Sequence, residues 1–201
     1  MAMSHTADTT RQRILETAFQ EFYRFGFQAG SLNRIVEATG LTKGALFHHF
    51  ASKQELGYAV VDEVVWPQFK ARWIDPLERS EDPIKDTRRM MLHMADKCLA
   101  DGSLAQGCPV NNLAQEMSPL DEEFRLRLEK IYTAWRRALQ SALTKGIKAG
   151  KVRRDVSPLK LAAFIVAAIT GIMGAAKNAQ NEQVLRESGS GLLDYLETLR
   201  P

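Results

Sequence analysis

Thr42, Lys43, Gly44, Phe47, His48 and Lys53 follow one another at short spacings in the run GLTKGALFHHFASK. Their chemistry is that of binding, without a covalent step. Lysine side chains neutralise phosphate charge. Gly44 removes side-chain bulk where a backbone would approach a nucleic acid. His48 stands one turn beyond Gly44, and Lys53 is placed to reach a flanking phosphate. A helix opening at Thr42 adds unpaired backbone N–H groups and a positive dipole end, both of which favour a phosphate or a base-edge acceptor. Taken singly, Lys43 and Lys53 are equally compatible with plain solvated lysines.

Other chemistries fit these residues less well. His48 and His49 are adjacent, so on a helix they point about 100° apart. Neither has an acidic or cysteine partner at ligand spacing, so no metal is expected. GLTKGAL lacks the spacing of a phosphate-binding loop, and no nucleophile–base pair is visible. The chain is therefore not expected to be an enzyme or to hold a cofactor. Cys98 and Cys108 are the only cysteines and form no CxxC pair, which argues against a disulfide framework or structural zinc. Cys108 precedes Pro109 near a helix start, where the dipole can lower a thiol pKa. It is either a sensing thiol or a small buried residue beside a pocket. Cys98 reads as core.

The elements that would position these residues are all helical. Ile14, Leu15, Ala18, Phe19, Phe22 and Phe25 recur at threes and fours, predicting a helix over 8–25 closed by Gly26. Ser31 is an N-cap for a second helix over 32–39, with Leu32, Ile35 and Val36 inward. Gly40 supplies the turn and Thr42 opens the third helix, with Leu41, Ala45, Leu46 and Phe50 facing inward. Ser52 and Glu55 form a capping box for a fourth helix toward Trp73, with a kink or break at Pro67 and an end at Asp75-Pro76. Further helices are expected over 83–100, 109–117, from Ser118-Pro119 to about Gly146, from Ser157-Pro158 to 179, and in a last segment interrupted at 188–191. DGSLAQG (101–107) is a loop, and residues 1–7 are a polar lead-in. No strand alternation or hairpin signal occurs. The fold class is all-α, with about nine helices: an N-terminal three-helix helix-turn-helix domain (1–53) and a helical ligand-binding and dimerisation domain (54–201).

Composition is permissive. The chain has 201 residues, 45% apolar and 25% charged, which is ordinary globular material able to bury a core. A net charge of +3 is weak support for a nucleic-acid partner. Residues 1–53 hold six Lys/Arg against four Asp/Glu, so a positive face must come from clustering. The N-terminus has no apolar core of a signal peptide. The run LAAFIVAAITGIMGAA (161–176) falls short of the roughly 20 residues needed to cross a bilayer, and its small residues suit close helix packing. A cytoplasmic location is expected, with no membrane partner; the alternative is a membrane-associated or structural helical protein.

Two helices joined by a tight glycine turn are the signature of helix-turn-helix, whose second helix enters the major groove. Residues 10–57, with ILETAFQEFYRFGF and then SLNRIVEATGLTKGALFHHFASKQEL, resemble the amino-terminal domain of the TetR/AcrR family of bacterial transcriptional regulators. GIKAGKVRRDVSPLKLAAFIVAAITG resembles that family's entry into its dimerisation helices. The resemblance implies a homodimeric repressor that binds double-stranded DNA at a palindromic operator and leaves it when a small apolar or electrophilic effector binds. By position it implies DNA contacts from Ser31, Thr42, Lys43, Gly44, Phe47, His48 and Lys53. Phe47 stands where the family commonly has a tyrosine whose hydroxyl meets a phosphate, so that contact is replaced here by an apolar one. Val36 and Thr39 replace small alanines. GCPVNNLAQEMS resembles a segment of a subgroup that includes regulators of electrophile response.

In the remainder, Trp66, Trp73, Met90, Met94, Cys108, Asn112, Phe124, Trp135 and Phe164 are candidate effector-lining residues, with Asn111 and Glu116 as further polar groups. Apolar walls with few polar groups are the usual small-ligand design, although such residues at helical spacing also build plain core. Ala163, Ala167, Gly171 and Gly174, with Leu193 and Leu196, are the candidate dimer interface, a four-helix packing across a two-fold axis.

Overall fold

A computed structural model describes the backbone of residues 2–201 and the side chains of residues 9–201. Among the described residues there are nine helices and no strand. They are α1 (Ala2–Phe25), α2 (Leu32–Thr39), α3 (Lys43–His49), α4 (53–78), α5 (Pro83–Ala100), α6 (Pro109–Met117), α7 (Glu122–Lys148), α8 (Pro158–Ala179) and α9 (Glu182–Glu197). The chain divides into two compact units. The first comprises residues up to Gln68 together with Asn112–Glu129; the second comprises Phe69–Asn111 and Lys130–Pro201. This packing division differs from a cut at 53/54, because the start of α4 and the segment 112–129 build the core of the first unit.

Side-chain caps set the helix starts. Asp82 accepts from Lys85 N at 3.0 Å with Pro83 in the first turn of α5, and Ser157 caps α8 the same way before Pro158. Ser118-Pro119, by contrast, does not open α7. The backbone turns once more through 118–121, and the Asp121 carboxylate then accepts from Phe124 N at 3.0 Å.

Pro67 and Pro76 do not break α4. Each sits four residues beyond the middle of a π turn: Glu63 within Val61–Val65, and Arg72 within Lys70–Ile74. Proline clashes with the carbonyl four residues before it and lacks an N–H to bond there. A π turn widens the backbone at that carbonyl, so the helix absorbs both prolines and continues to Glu78. Ser188–Gly191 does not interrupt α9 either. Leu185, Leu192 and Leu196 are buried on one stripe, and that burial outweighs the poor propensity of Gly and Ser. The loop 101–107 contains one 3-10 turn, Ser103–Ala105, and α1 already starts at Ala2.

In the first unit, Ile14, Leu15, Ala18 and Phe22 of α1 meet Ile35 of α2, Leu46 and Phe50 around α3, and Leu56 and Val60 of α4 as one buried set. Phe25, expected inward, is 44% exposed because α1 ends there, and it lies between Arg24 and Arg34. In the second unit α9 packs on α8 and α5. α8 is long and apolar enough to cross a membrane, but Leu161, Ile165, Val166, Ile169 and Met173 are buried within this unit.

Candidate nucleic-acid interface

The turn between α2 and α3 is built from backbone bonds that only a left-handed residue can close. Gly40 has φ +64°; its N–H donates to Glu37 O at 3.1 Å, and Leu41 N–H donates to Val36 O at 3.3 Å. These two crossed bonds are the Schellman arrangement. Thr42 then takes extended backbone, and its Oγ1 accepts from Ala45 N at 3.1 Å to start α3. Ser31 Oγ accepts from Arg34 N at 3.4 Å at the start of α2. Both hydroxyl oxygens are thus engaged as caps, which leaves each hydroxyl hydrogen as the group to meet a phosphate. Thr39, in place of a smaller residue, donates its hydroxyl to Ile35 O at 2.9 Å, so its polar atom is satisfied in the core.

Thr42, Lys43, Gly44, Phe47 and His48 are all exposed and share one side of α3, while Leu46 and Phe50 hold the opposite side in the core. Phe47 is 40% exposed, a large apolar surface for water to cover. His49 is half-buried, its ring 5.4 Å from that of His48. Lys53 departs from the simple expectation. Its Nζ donates to Gln28 O at 2.9 Å and lies 4.9 Å from the Phe27 ring centre. Burial pulls its pKa below the usual lysine value, against the opposing pull of Glu116 and Glu21. Two of its three N–H donors remain for an outside partner.

The loop before α2 is fixed by carboxylates. Glu21 accepts from Ser31 N and from Arg34 Nε, each at 2.8 Å. Burial tends to raise its pKa, but the bonds from Arg34 and Ser31 N–H outweigh it and leave Glu21 below the ordinary value. Arg11 pairs with Glu63 and lies over Phe50, joining α1 to α4. Glu116, expected among polar groups of an effector cavity, does something else. Its carboxylate accepts from Phe27 N at 2.9 Å and Gln28 N at 2.8 Å. Nothing in the local sequence marks this contact, because the partners are 88 and 89 positions apart.

The candidate effector residues are divided between the two packing units. Phe124 belongs to the first unit, fully buried between Phe27 and Tyr58 at centroid distances of 4.7 and 5.0 Å. Tyr58 donates to Asp121 Oδ2 at 2.8 Å, and burial first, then this bond, push its pKa up to about 12. Trp66 is half-buried and, with Asn112, also falls in the first unit. Phe164 is 52% exposed, against Tyr195 on the outer side of α8, so it lines no interior space. Trp73 and Trp135 do meet, at 4.9 Å, with Phe69 5.2 Å from Trp135; Met90 and Met94 are buried in the same unit. Asn111 keeps a buried Oδ1 without a hydrogen-bond partner, its Nδ2 facing Gly174. Cys108 is part-exposed as a residue, yet burial around the sulfur raises its pKa. Backbone bonds at Asn111 and Val110 and the charge of Arg72 pull the other way without prevailing, so the lowering expected from the helix start does not occur.

Of the candidate dimer residues, Ala163, Ala167 and Gly171 form an exposed stripe on α8 beside Leu159 and Phe164. Leu193 is half-buried, its carbonyl accepting from Arg88 at 2.7 Å. Gly174 and Leu196 turn inward instead: Gly174 faces Asn111 and Leu196 is fully buried within its own protomer.

Comparison with known proteins agrees with this geometry. Residues 14–60 match the family model for bacterial regulatory proteins of the tetR family, and residues 87–190 match that for the tetracyclin repressor-like C-terminal domain. The chain is 29% identical over 175 residues to the HTH-type transcriptional repressor DhaR of Mycobacterium sp. (strain GP1), covering 87% of this chain and 86% of that protein. It is 33% identical over 186 residues to an HTH-type transcriptional regulator from the lacX 3' region of Lactococcus lactis subsp. lactis, covering 92% and 91%. A TetR-family regulator from Cytophaga hutchinsonii superposes with a TM-score of 0.83 at 26% identity, over 97% of this chain and 96% of that one. The matches span the recognition helix and the second unit alike, and the chain belongs to the TetR family of DNA-binding transcriptional regulators.

Proposed function

We propose that the protein is a homodimeric repressor that grips a palindromic operator with two copies of α3 and lets go when a small apolar effector binds. One observation carries the DNA-reading part: Thr42, Lys43, Gly44, Phe47 and His48 all face outward from a helix whose opposite side is locked in the core. Gly44 serves no internal packing need and Phe47 leaves a large part of its ring exposed, which supports an outside surface as their use. A seven-residue helix makes few base contacts, so useful affinity calls for two heads on one duplex about one helical turn apart. The exposed Ala163, Ala167 and Gly171 stripe supports a two-fold packing of α8. Repression is supported by the likeness to the transcriptional repressor DhaR. Cytoplasmic action accords with a DNA target.

For the effector, the Trp73, Trp135, Met90 and Met94 set supports an apolar molecule. An electrophile acting on Cys108 is the weaker reading, because a raised thiol pKa leaves less thiolate to react.

Selection from random-sequence duplexes tests the DNA-reading part directly. The expected product is an inverted repeat bound by two protomers, with affinity falling steeply as salt rises because phosphate neutralisation releases counterions. Recovered sequences lacking two-fold symmetry, or one protomer per duplex, would overturn the palindrome and the dimer. A screen of small apolar molecules for release of the selected duplex tests the effector.

A further inference from the structure

We infer that Glu116 is a positioning residue for DNA binding: a carboxylate on α6 that clamps the backbone of the loop leading into the helix-turn-helix. The inference rests on the DNA-reading function proposed above for the same unit.

α1 ends at Gly26, whose φ of +82° turns the chain so that the next two N–H groups, Phe27 and Gln28, present themselves together. Successive N–H groups after a left-handed residue form a concave anion-binding nest. Both oxygens of Glu116 fill it, at 2.9 Å from Phe27 N and 2.8 Å from Gln28 N. A Cβ on residue 26 would lie 3.0 Å from each of those oxygens, so a side chain there would be strained by the positive φ and would press the carboxylate to shift by a few tenths of an ångström. On the other side of the same peptide stretch, Lys53 Nζ takes the Gln28 carbonyl. The loop is thus held between an anion from α6 and a cation from the start of α4.

Phe27 extends this anchorage into the core. Its ring lies edge-on to Phe22 and Phe124, and Gly57 gives way beneath it: a Cβ there would come within 2.5 Å of the Phe27 ring. Three residues after Gln28, Ser31 caps α2, and Gly40 then fixes α3 to α2. The position of the loop therefore sets the position of the reading helix. Hydrogen bonds to a charged acceptor are stronger than neutral ones, and the part-buried Phe27 N–H is costly to leave without a partner, whereas the Gln28 bond lies at the exposed edge. Glu116 has no part in the outward surface of α3, so its effect on DNA is through the loop alone.

The test uses the full-length protein and a duplex recovered by its own selection. Binding of that duplex by the unaltered protein is measured first; if it binds none, the DNA-reading proposal fails and not the clamp. Glu116→Gln, which presents an amide to one of the two N–H groups, is expected to weaken binding by roughly tenfold or more, while Glu116→Asp retains part of the affinity. Far-UV circular dichroism and light scattering are expected to show unchanged helicity and oligomeric state. Unchanged affinity in Glu116→Gln, or a loss no larger than its loss of folded fraction, overturns the inference. Hydrogen exchange of the unaltered protein provides an independent reading if the variants fold poorly. The Phe27 and Gln28 amides are expected to exchange as slowly as those in the interior of α2; exchange at the rate of exposed loop amides overturns the clamp.

Discussion

At Gly44 an added methyl group would meet nothing nearer than Thr42 Oγ1, 3.9 Å away, and the residue is exposed. Folding therefore has no use for a glycine there, and alanine would favour the helix by up to about 1 kcal/mol. Gly44→Ala is expected to hold or raise the melting temperature while weakening binding to the selected duplex. Lys43→Ala is expected to weaken it too and to reduce the salt dependence by about one unit of slope. A Gly44→Ala protein that binds as tightly as the unaltered one, measured by fluorescence anisotropy, would remove this position from the interface. Phe47 and Lys53 qualify the family pattern in different ways. Phe47 offers a ring without a hydroxyl, suited to a sugar or a thymine methyl. Lys53 already donates to Gln28 O, which ties it to the loop before α2.

Among the elements, the helices whose ends are set by a side chain one turn away were legible in the sequence: α2 between Ser31 and Gly40, α5 from Asp82-Pro83, α8 from Ser157-Pro158. α4 and α9 were not, because proline and glycine argue locally for interruption while the buried faces argue for continuity. In α4 the π turns reconcile the two. In α9 Gly191 has open space around its Cβ position within the protomer, so Gly191→Ala is expected to stabilise by up to about 1 kcal/mol, read as an increase in melting temperature. A decrease would mean that another protomer approaches the helix at that point.

For the whole molecule, the exposed face of α8 bears on assembly. Ala163, Ala167 and Gly171 let a second helix come close, and Leu159 and Phe164 flank them at 64% and 52% exposure. Burying an unpaired carboxylate in such a face is strongly unfavourable. Ala167→Glu is accordingly expected to give a protein of monomer mass in light scattering at micromolar concentration, with operator affinity lowered far more than that of a single head. A variant that remains dimeric would move the interface off this stripe. The division into two packing units adds a further point: Phe124, Trp66 and Asn112 pack in the first unit, whereas Trp73 and Trp135 pack in the second.

The amino-acid sequence by itself determined what depends on neighbours within a turn or so: the caps, the glycine turn at Gly40, the outward row on α3 and hence the DNA-reading function. These rest on hydrogen bonds and periodicities between residues three or four apart, which the order of residues displays directly. Only the tertiary structure decided that Glu116 holds the backbone at Phe27 and Gln28, that Phe124 is core to the first unit, and that Leu196 and Gly174 turn inward. Each is a matter of which partner, tens of residues away, reaches a polar group or covers an apolar face first. Even the thiol of Cys108 follows that rule, since the burial around it, and not its place at the head of α6, sets its acidity.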